Sequence, residues 1–178
     1  MISVLIPTHD SERHLVPTLS ALVPGSAEGL LREVILADGG STDGTAKIAD
    51  AAGCEFRILP GDPRERLLAA AVNVRGSWLL LLDPGSVLEE GWTREVAKFV
   101  ESVERAGQAD FCAAVFRLAV DGYGFAPRLK ELAVAARLAL TGRPRSVQGF
   151  LVSKQLFAAR GRKARRVVML RTRVVVPS

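Results

Sequence analysis

The chain opens on a short β-branched run, Ile2-Ser-Val-Leu-Ile6, stopped by Pro7, and a second run, Glu33-Val-Ile-Leu-Ala37, is stopped by Asp38-Gly-Gly. Runs of this length bounded by Pro and Gly predict buried strands that feed polar loops. Between them, Ser11 to Leu22 sets Leu15, Leu19 and Leu22 on one helical face, with Ser11 or Asp10 as cap. The pattern then repeats. Thr42 to Ala52 predicts a helix opened by Ser41/Thr42 and closed by Gly53. Glu55 to Leu59 predicts a third strand, Arg64 to Val74 a helix, and Trp78 to Leu82 a fourth strand.

Further along, Trp92 to Ala106 predicts a helix ended by Gly107, and Phe111 to Val120 a strand. Leu129 to Leu140 carries Leu129, Leu132, Ala136 and Leu140 along one helical side, and Gly142 and Pro144 mark its end. Gln148 to Phe157 and Val167 to Val176 are apolar enough to pack, the second as a terminal strand, with the basic linker Arg160 to Arg166 between them. Strands alternating with helices predict an α/β fold with a mostly parallel central sheet flanked by helices, whose ligands gather at the carboxyl ends of the strands. With no internal repeat, residues 1–178 read as a single domain.

Composition narrows the class. Of 178 residues, 48% are hydrophobic and 24% charged, which excludes disordered, collagen-like and disulfide-scaffold chains. Cys54 and Cys112 lack the spacing of a zinc or redox pair and read as buried free thiols, in keeping with a reducing cytoplasm. No apolar stretch reaches the length of a membrane span, and Met1 to His14 lacks the pattern of a secretory leader. The net charge of +5 is unevenly placed: residues 1–140 hold 14 Lys/Arg against 19 Asp/Glu, and residues 141–178 hold 10 Lys/Arg and no acid.

Three loops at predicted strand ends hold carboxylates: Asp10 after Pro7-Thr8-His9, Asp38 and Asp43 in Asp38-Gly-Gly-Ser-Thr-Asp-Gly-Thr45, and Asp83 in Leu82-Asp-Pro-Gly-Ser86. Each Asp alone is more often a turn former or helix cap, and it is the three loops together at one sheet edge that point to a site. In the middle loop, Gly39 and Gly40 let the backbone turn tightly and approach a ligand, and the positive end of the next helix would face a pyrophosphate. Asp38, as an exposed carboxylate at a strand end, would accept a hydrogen bond from a base N–H or a ribose hydroxyl.

The ordered set Val4-Leu-Ile-Pro-Thr8, Glu33 to Thr45 and Gly76-Ser-Trp-Leu-Leu-Leu-Leu-Asp83 resembles the nucleotide-binding half of GT-A fold glycosyltransferases of the family-two type. The resemblance runs over residues 1–96, with residues 97–178 as a shortened acceptor-side half. It implies an inverting transfer of a sugar from a nucleotide-diphosphate donor to an acceptor that the sequence does not define. It implies a donor site in which Pro7 and Thr8 line the nucleotide, Asp38 contacts the base and Asp83 holds the first place of an Asp-x-Asp motif, and Gly39, Asp43 and Arg66 are further candidate donor-binding residues. That motif implies Mg²⁺ or Mn²⁺, but its second place here is Gly85, and one carboxylate on a Pro-Gly turn is a poor metal site.

Arg64 or Arg66, with some of Arg160, Arg162, Lys163, Arg165 and Arg166, could neutralise a pyrophosphate instead. The catalytic base is unassigned: Gln148-Gly149 resembles the start of the stretch that usually precedes an acidic segment, yet no Asp or Glu follows Glu131. His9 takes a place that is commonly aromatic in the family and reads as a stacking or packing group. Trp78 reads as core, and Trp92 as core or as the wall of an acceptor pocket.

Two further readings stand beside the enzyme. One is a catalytically degenerate GT-A domain that serves as a nucleotide-binding or partner-binding scaffold. The other gives the basic tail, residues 143–173, an anionic membrane surface as peripheral partner. Nucleic acid fits this tail poorly, because aromatics are 6% of the chain and the tail holds few for stacking. A homodimer through the strand Val167 to Val176 would cover an exposed sheet edge.

Overall fold

A computed structural model describes residues 1–120, 149–159 and 164–176. The elements are β1 (Ile2–Thr8), α1 (Glu12–Ala27), β2 (Leu31–Asp38), α2 (Thr45–Ala51), β3 (Glu55–Ile58), α3 (Pro63–Ala70), a 3₁₀ turn (Ala71–Asn73) and β4 (Trp78–Leu81). They continue with β5 (Val87–Leu88), α4 (Trp92–Arg105), β6 (Cys112–Val120), β7 (Phe150–Ser153), α5 (Lys154–Ala158) and β8 (Arg166–Val176). The expected helix Leu129 to Leu140, with Gln148, Arg160, Arg162 and Lys163, lies outside the described residues.

The strands form one sheet in the order β3-β2-β1-β4-β7-β6-β8-β5. β3, β2, β1 and β4 are mutually parallel, as are β6 and β8. β7 enters antiparallel between β4 and β6, and β5 pairs antiparallel with β8. The sheet is therefore α/β and mostly parallel, with an antiparallel insertion that the apolar stretch Gln148 to Phe157 did not specify. That stretch divides at Ser153, whose side chain accepts from the Leu156 N–H and starts α5.

Alternation along the central strands builds a core on each face. Val4, Ile6, Leu36, Leu80, Trp78 and Trp92 pack with α1 and α4, while Leu5, Ile35, Leu79 and Val152 pack with Ala70 of α3 and Leu156 of α5. Trp78 packs edge-on against Phe99, with ring centroids 5.9 Å apart, and its indole N–H donates to Glu104 at 2.7 Å. Trp92 is 1% exposed and donates to the Ala21 carbonyl at 3.0 Å, so its ring belongs to the core.

α1 runs five residues past the expected Leu22, through Pro17 and Pro24. An interior proline removes one backbone donor, but burial against Trp92 keeps the helix going. A Cβ on Gly25 would lie 2.6 Å from the indole edge, so only glycine lets α1 lie so close. Because β1, β2, β3 and β4 run parallel, their carboxyl ends and the loops that follow share one edge of the molecule.

Candidate functional site

The site grows from strand register. β1 and β2 end together, with Thr8 opposite Asp38, and this brings their side chains into contact across a sequence separation of 30 residues. The Thr8 hydroxyl and the Ser41 hydroxyl donate to Asp38 Oδ1 at 2.7 and 2.5 Å, and the Gly40 and Ser41 N–H groups donate to Oδ2 at 2.7 and 2.6 Å. Gly40 takes φ +90° to complete the turn, a left-handed conformation that favours glycine.

Asp38 is 0% exposed. This corrects the expectation of an exposed carboxylate: its oxygens are occupied in shaping the Asp38–Ser41 turn. Burial works against its ionised form, but the Ser41, Thr8 and Gly40 hydrogen bonds outweigh it and hold the carboxyl below its ordinary range.

Pro7 and Thr8 are likewise buried within β1, whereas His9, Asp10, Gly39, Gly40 and Thr42 form the exposed surface. The expected lining residues thus support the surface from beneath. Asp10, at φ +46°, accepts from the Thr42 N–H at 2.8 Å and donates its own N–H to Ser41 Oγ at 2.9 Å.

Asp43 accepts from the Glu12 N–H at 3.0 Å through Oδ2, and from the Thr45 hydroxyl and N–H at 2.5 and 3.0 Å through Oδ1. The Thr45 hydroxyl is the main cause holding the Asp43 carboxyl below its usual range. Glu12 in return accepts from the Gly44 N–H at 2.9 Å. The amino end of α2, expected to face a pyrophosphate, is therefore occupied by the chain's own carboxylates. Sequence reasoning missed Glu12 because its partners lie about thirty positions away.

Arg66 is also turned inward. It is 5% exposed, and its Nη1 donates to the Thr8 carbonyl and to the Ala37 carbonyl at 3.2 Å, while its buried Nε has no hydrogen-bond partner. A Cβ on Gly39 would lie 2.5 Å from Arg66 Nη1 and 3.3 Å from His9 Nδ1. The expectation that Arg66 faces a pyrophosphate is corrected: its guanidinium fills the space beside Gly39 and bridges the ends of β1 and β2.

Asp83 follows β4 on the same edge, partly exposed, in a turn closed by the Ser86 N–H on its carbonyl at 3.1 Å. Gly85 is buried at φ +90°, and its N–H reaches Thr18 Oγ1 at 2.9 Å and the His14 carbonyl at 3.1 Å, tying the turn to α1. Among the described residues no three His, Cys, Asp or Glu side chains gather as a metal site. A hard divalent cation is held in many sites by one or two carboxylates plus substrate phosphates and water. A single carboxylate such as that of Asp83 would fit such a cation only together with a bound diphosphate.

Of the tail, Arg165 stacks on the Phe111 ring at 4.8 Å and Arg173 pairs with Glu89 at 2.8 Å. Among the described residues no helix is long and apolar enough to cross a membrane.

Comparison with solved structures places the fold. TarS of S. aureus, residues 1–349 in complex with UDP, aligns with a TM-score of 0.67 and 16% identity over 99% of this chain and 60% of that one. Glucosyl-3-phosphoglycerate synthase from Mycobacterium tuberculosis, in complex with Mn²⁺ and UDP-glucose, gives 0.61 and 17% over 99% and 70%. A mycobacterial protein gives 0.60 and 20% over 99% and 65%. Against a longer TarS structure the chain spans 36% of the partner's length, so it corresponds to a part of these molecules. A comparison with curated proteins finds no match. The family described as "Glycosyl transferase family 2" matches residues 3–145, the stretch that carries all three loops, and the chain belongs to that family.

Proposed function

We propose that the protein binds a nucleotide-diphospho-sugar at the carboxyl edge of β1, β2 and β4 and transfers the sugar to an acceptor hydroxyl with inversion. The observation that carries this reading is the Asp38–Ser41 turn, a buried carboxylate that presents Gly39 and Gly40 as bare exposed backbone on the family's nucleotide side. Two structural neighbours hold UDP or UDP-glucose on this fold.

In this reading Asp38, Thr8, Pro7 and Arg66 act from beneath, by fixing the turn. Asp43 locks the adjoining loop, exposed His9 and the Gly39 backbone meet the nucleoside, and Asp83 faces the diphosphate. A divalent cation, when bound by Asp83 and the donor phosphates, would offset the charge that develops on the departing diphosphate. In the transfer, the acceptor oxygen bonds to the anomeric carbon as the bond to the diphosphate breaks, and the acceptor proton leaves to a base.

Calorimetric titration with UDP and GDP, with and without Mn²⁺, tests the reading. Binding of either nucleotide supports it, strengthening by Mn²⁺ supports Asp83 as the cation ligand, and no binding of either contradicts it. Gly85 in place of a second carboxylate favours a second reading, a domain that keeps nucleotide binding without transfer. Donor binding with no sugar released or transferred in the presence of Mn²⁺ and a panel of hydroxyl acceptors would decide for that scaffold.

A homodimer through β8 is a separate proposal. β8 pairs along its length with β6 but meets β5 only at Val174 and Val175. Light scattering at high micromolar concentration should give twice the chain mass, and a monomer removes it. The basic tail as an anionic membrane contact predicts cosedimentation with vesicles of anionic lipid that is lost at high salt, and none with neutral lipid.

A further inference from the structure

The loops after β1 and β2 exchange carboxylates. Glu12, at the start of α1, accepts from the Gly44 N–H ahead of α2 at 2.9 Å, and Asp43, from the α2 side, accepts from the Glu12 N–H at 3.0 Å. Ser11 N–H donates to Thr45 Oγ1 at 2.9 Å between the same loops. A Cβ on Gly44 would lie 2.6 Å from Glu12 Cδ, so the Glu12 carboxylate lies flat on a glycine that leaves room for it.

Away from this exchange the two helices diverge. A groove of about 750 Å³ opens between them, lined by Leu19 and Val23 of α1 and Ile48 and Ala51 of α2. The two loops also touch directly, the Asp10 N–H donating to Ser41 Oγ at 2.9 Å and the Thr42 N–H to Asp10 Oδ1 at 2.8 Å. Glu12 is exposed, so breaking its bond removes little buried surface. The same two loops carry His9, Asp10, Gly39 and Gly40, the exposed surface of the nucleotide site.

We infer that Glu12 is a positioning residue for that site: by holding Gly44 and being held by Asp43, it acts with the Asp10 contacts to Ser41 and Thr42 to fix the distance between the His9–Asp10 segment and the Asp38–Ser41 turn, without touching the ligand. The inference rests on the nucleotide reading above. An affinity that depends on two surfaces held at one spacing falls when the spacing is released, because the ligand must then order the loops as it binds.

Two variants break the contact by different means. Glu12→Ala removes the carboxylate, and Gly44→Ala expels it sterically at a backbone φ of −75° that alanine adopts freely. Each should weaken UDP binding by roughly ten-fold in calorimetry, with the thermal midpoint of the free protein moving by no more than about 2 °C. Gly44→Ala should have no further effect in the Glu12→Ala background, since both act through one contact. Glu12→Gln, which keeps an acceptor oxygen, should recover part of the affinity.

Equal UDP affinity in the wild type and both single variants overturns the inference. So does an additive loss in the double variant, or a loss of affinity that merely follows a large fall in thermal midpoint. A wild-type chain that binds no UDP contradicts the nucleotide reading itself, an outcome distinct from equal binding by wild type and variants.

Discussion

Asp38 shows how far a residue's chemistry depends on its neighbours. A short polar residue after a β-branched run reads correctly as the end of a strand. What the sequence does not display is that Thr8 and Ser41 occupy its oxygens, because register brings Thr8 opposite it from 30 residues away. Arg66 is similar: its place after the third strand was visible, but the inward turn onto the Thr8 and Ala37 carbonyls depends on the missing side chain at Gly39.

Removing one partner from a buried polar cluster costs about 1–3 kcal/mol. Asp38→Asn should therefore lower stability by about that amount and abolish UDP binding, read by urea denaturation and calorimetry. Full UDP affinity in Asp38→Asn would remove the turn from the site.

Acid should act on the same residues. Asp38, Glu33 and Glu95 all have their carboxyl pKa lowered by folding, in each case against a burial cost that hydrogen bonds outweigh: from Ser41, Thr8 and Gly40; from Ser3 and Arg75; and from Thr172 and Arg171. Groups with a depressed folded pKa contribute stability that is fully present above their unfolded value, about 4, and lost as the pH falls through the folded values. Unfolding free energy measured from pH 7 downward should stay level until near the unfolded value and then decline. Glu33→Gln, at a carboxylate 4% exposed, should flatten part of that decline. An unchanged slope would mean that the Ser3, Glu33 and Arg75 cluster is not titrating with folding.

At the scale of elements, close approach and edge protection govern. Gly25 permits α1 to lie on the Trp92 ring, and overpacking a filled core costs about 1–3 kcal/mol. Gly25→Val should lower the thermal midpoint by several degrees, and a wild-type midpoint would show that α1 can shift away without loss.

β8 carries an irregularity where one residue of β6, Phe116, opposes Leu170 to Thr172. Glu95 of α4 covers it, accepting from the Arg171 and Thr172 N–H groups at 2.7 and 2.8 Å and from the Thr172 hydroxyl at 2.6 Å. A bulge leaves backbone donors unpaired, and here a helix supplies the acceptor. Glu95→Ala should speed amide exchange at Arg171 and Thr172 while leaving β1 and β2 protected; unchanged exchange would show that other contacts hold the bulge. Nothing in the spacing of Glu95 and Thr172 announces this contact across 77 positions, whereas the strand and helix themselves were legible from their runs and periodicity.

For the whole molecule, the order of strands and helices up to β4 followed from hydrophobic runs punctuated by Pro and Gly, and it put three polar loops at one edge. The antiparallel entry of β7 between β4 and β6 did not follow, because a four-residue apolar strand carries no mark of direction or neighbour. The family match over residues 3–145 takes in the three loops on which sequence reasoning was most specific and runs on well past residue 96. In the proposed function, the exposed surface around the Asp38–Ser41 turn receives the nucleotide. Titration of the ¹⁵N-labelled protein with UDP tests it most directly, residue by residue. The His9, Gly39, Gly40 and Ser41 amides should shift saturably with little change in β6 or β8, whereas shifts confined to other parts of the sheet, or no shifts at all, would remove the nucleotide from this surface.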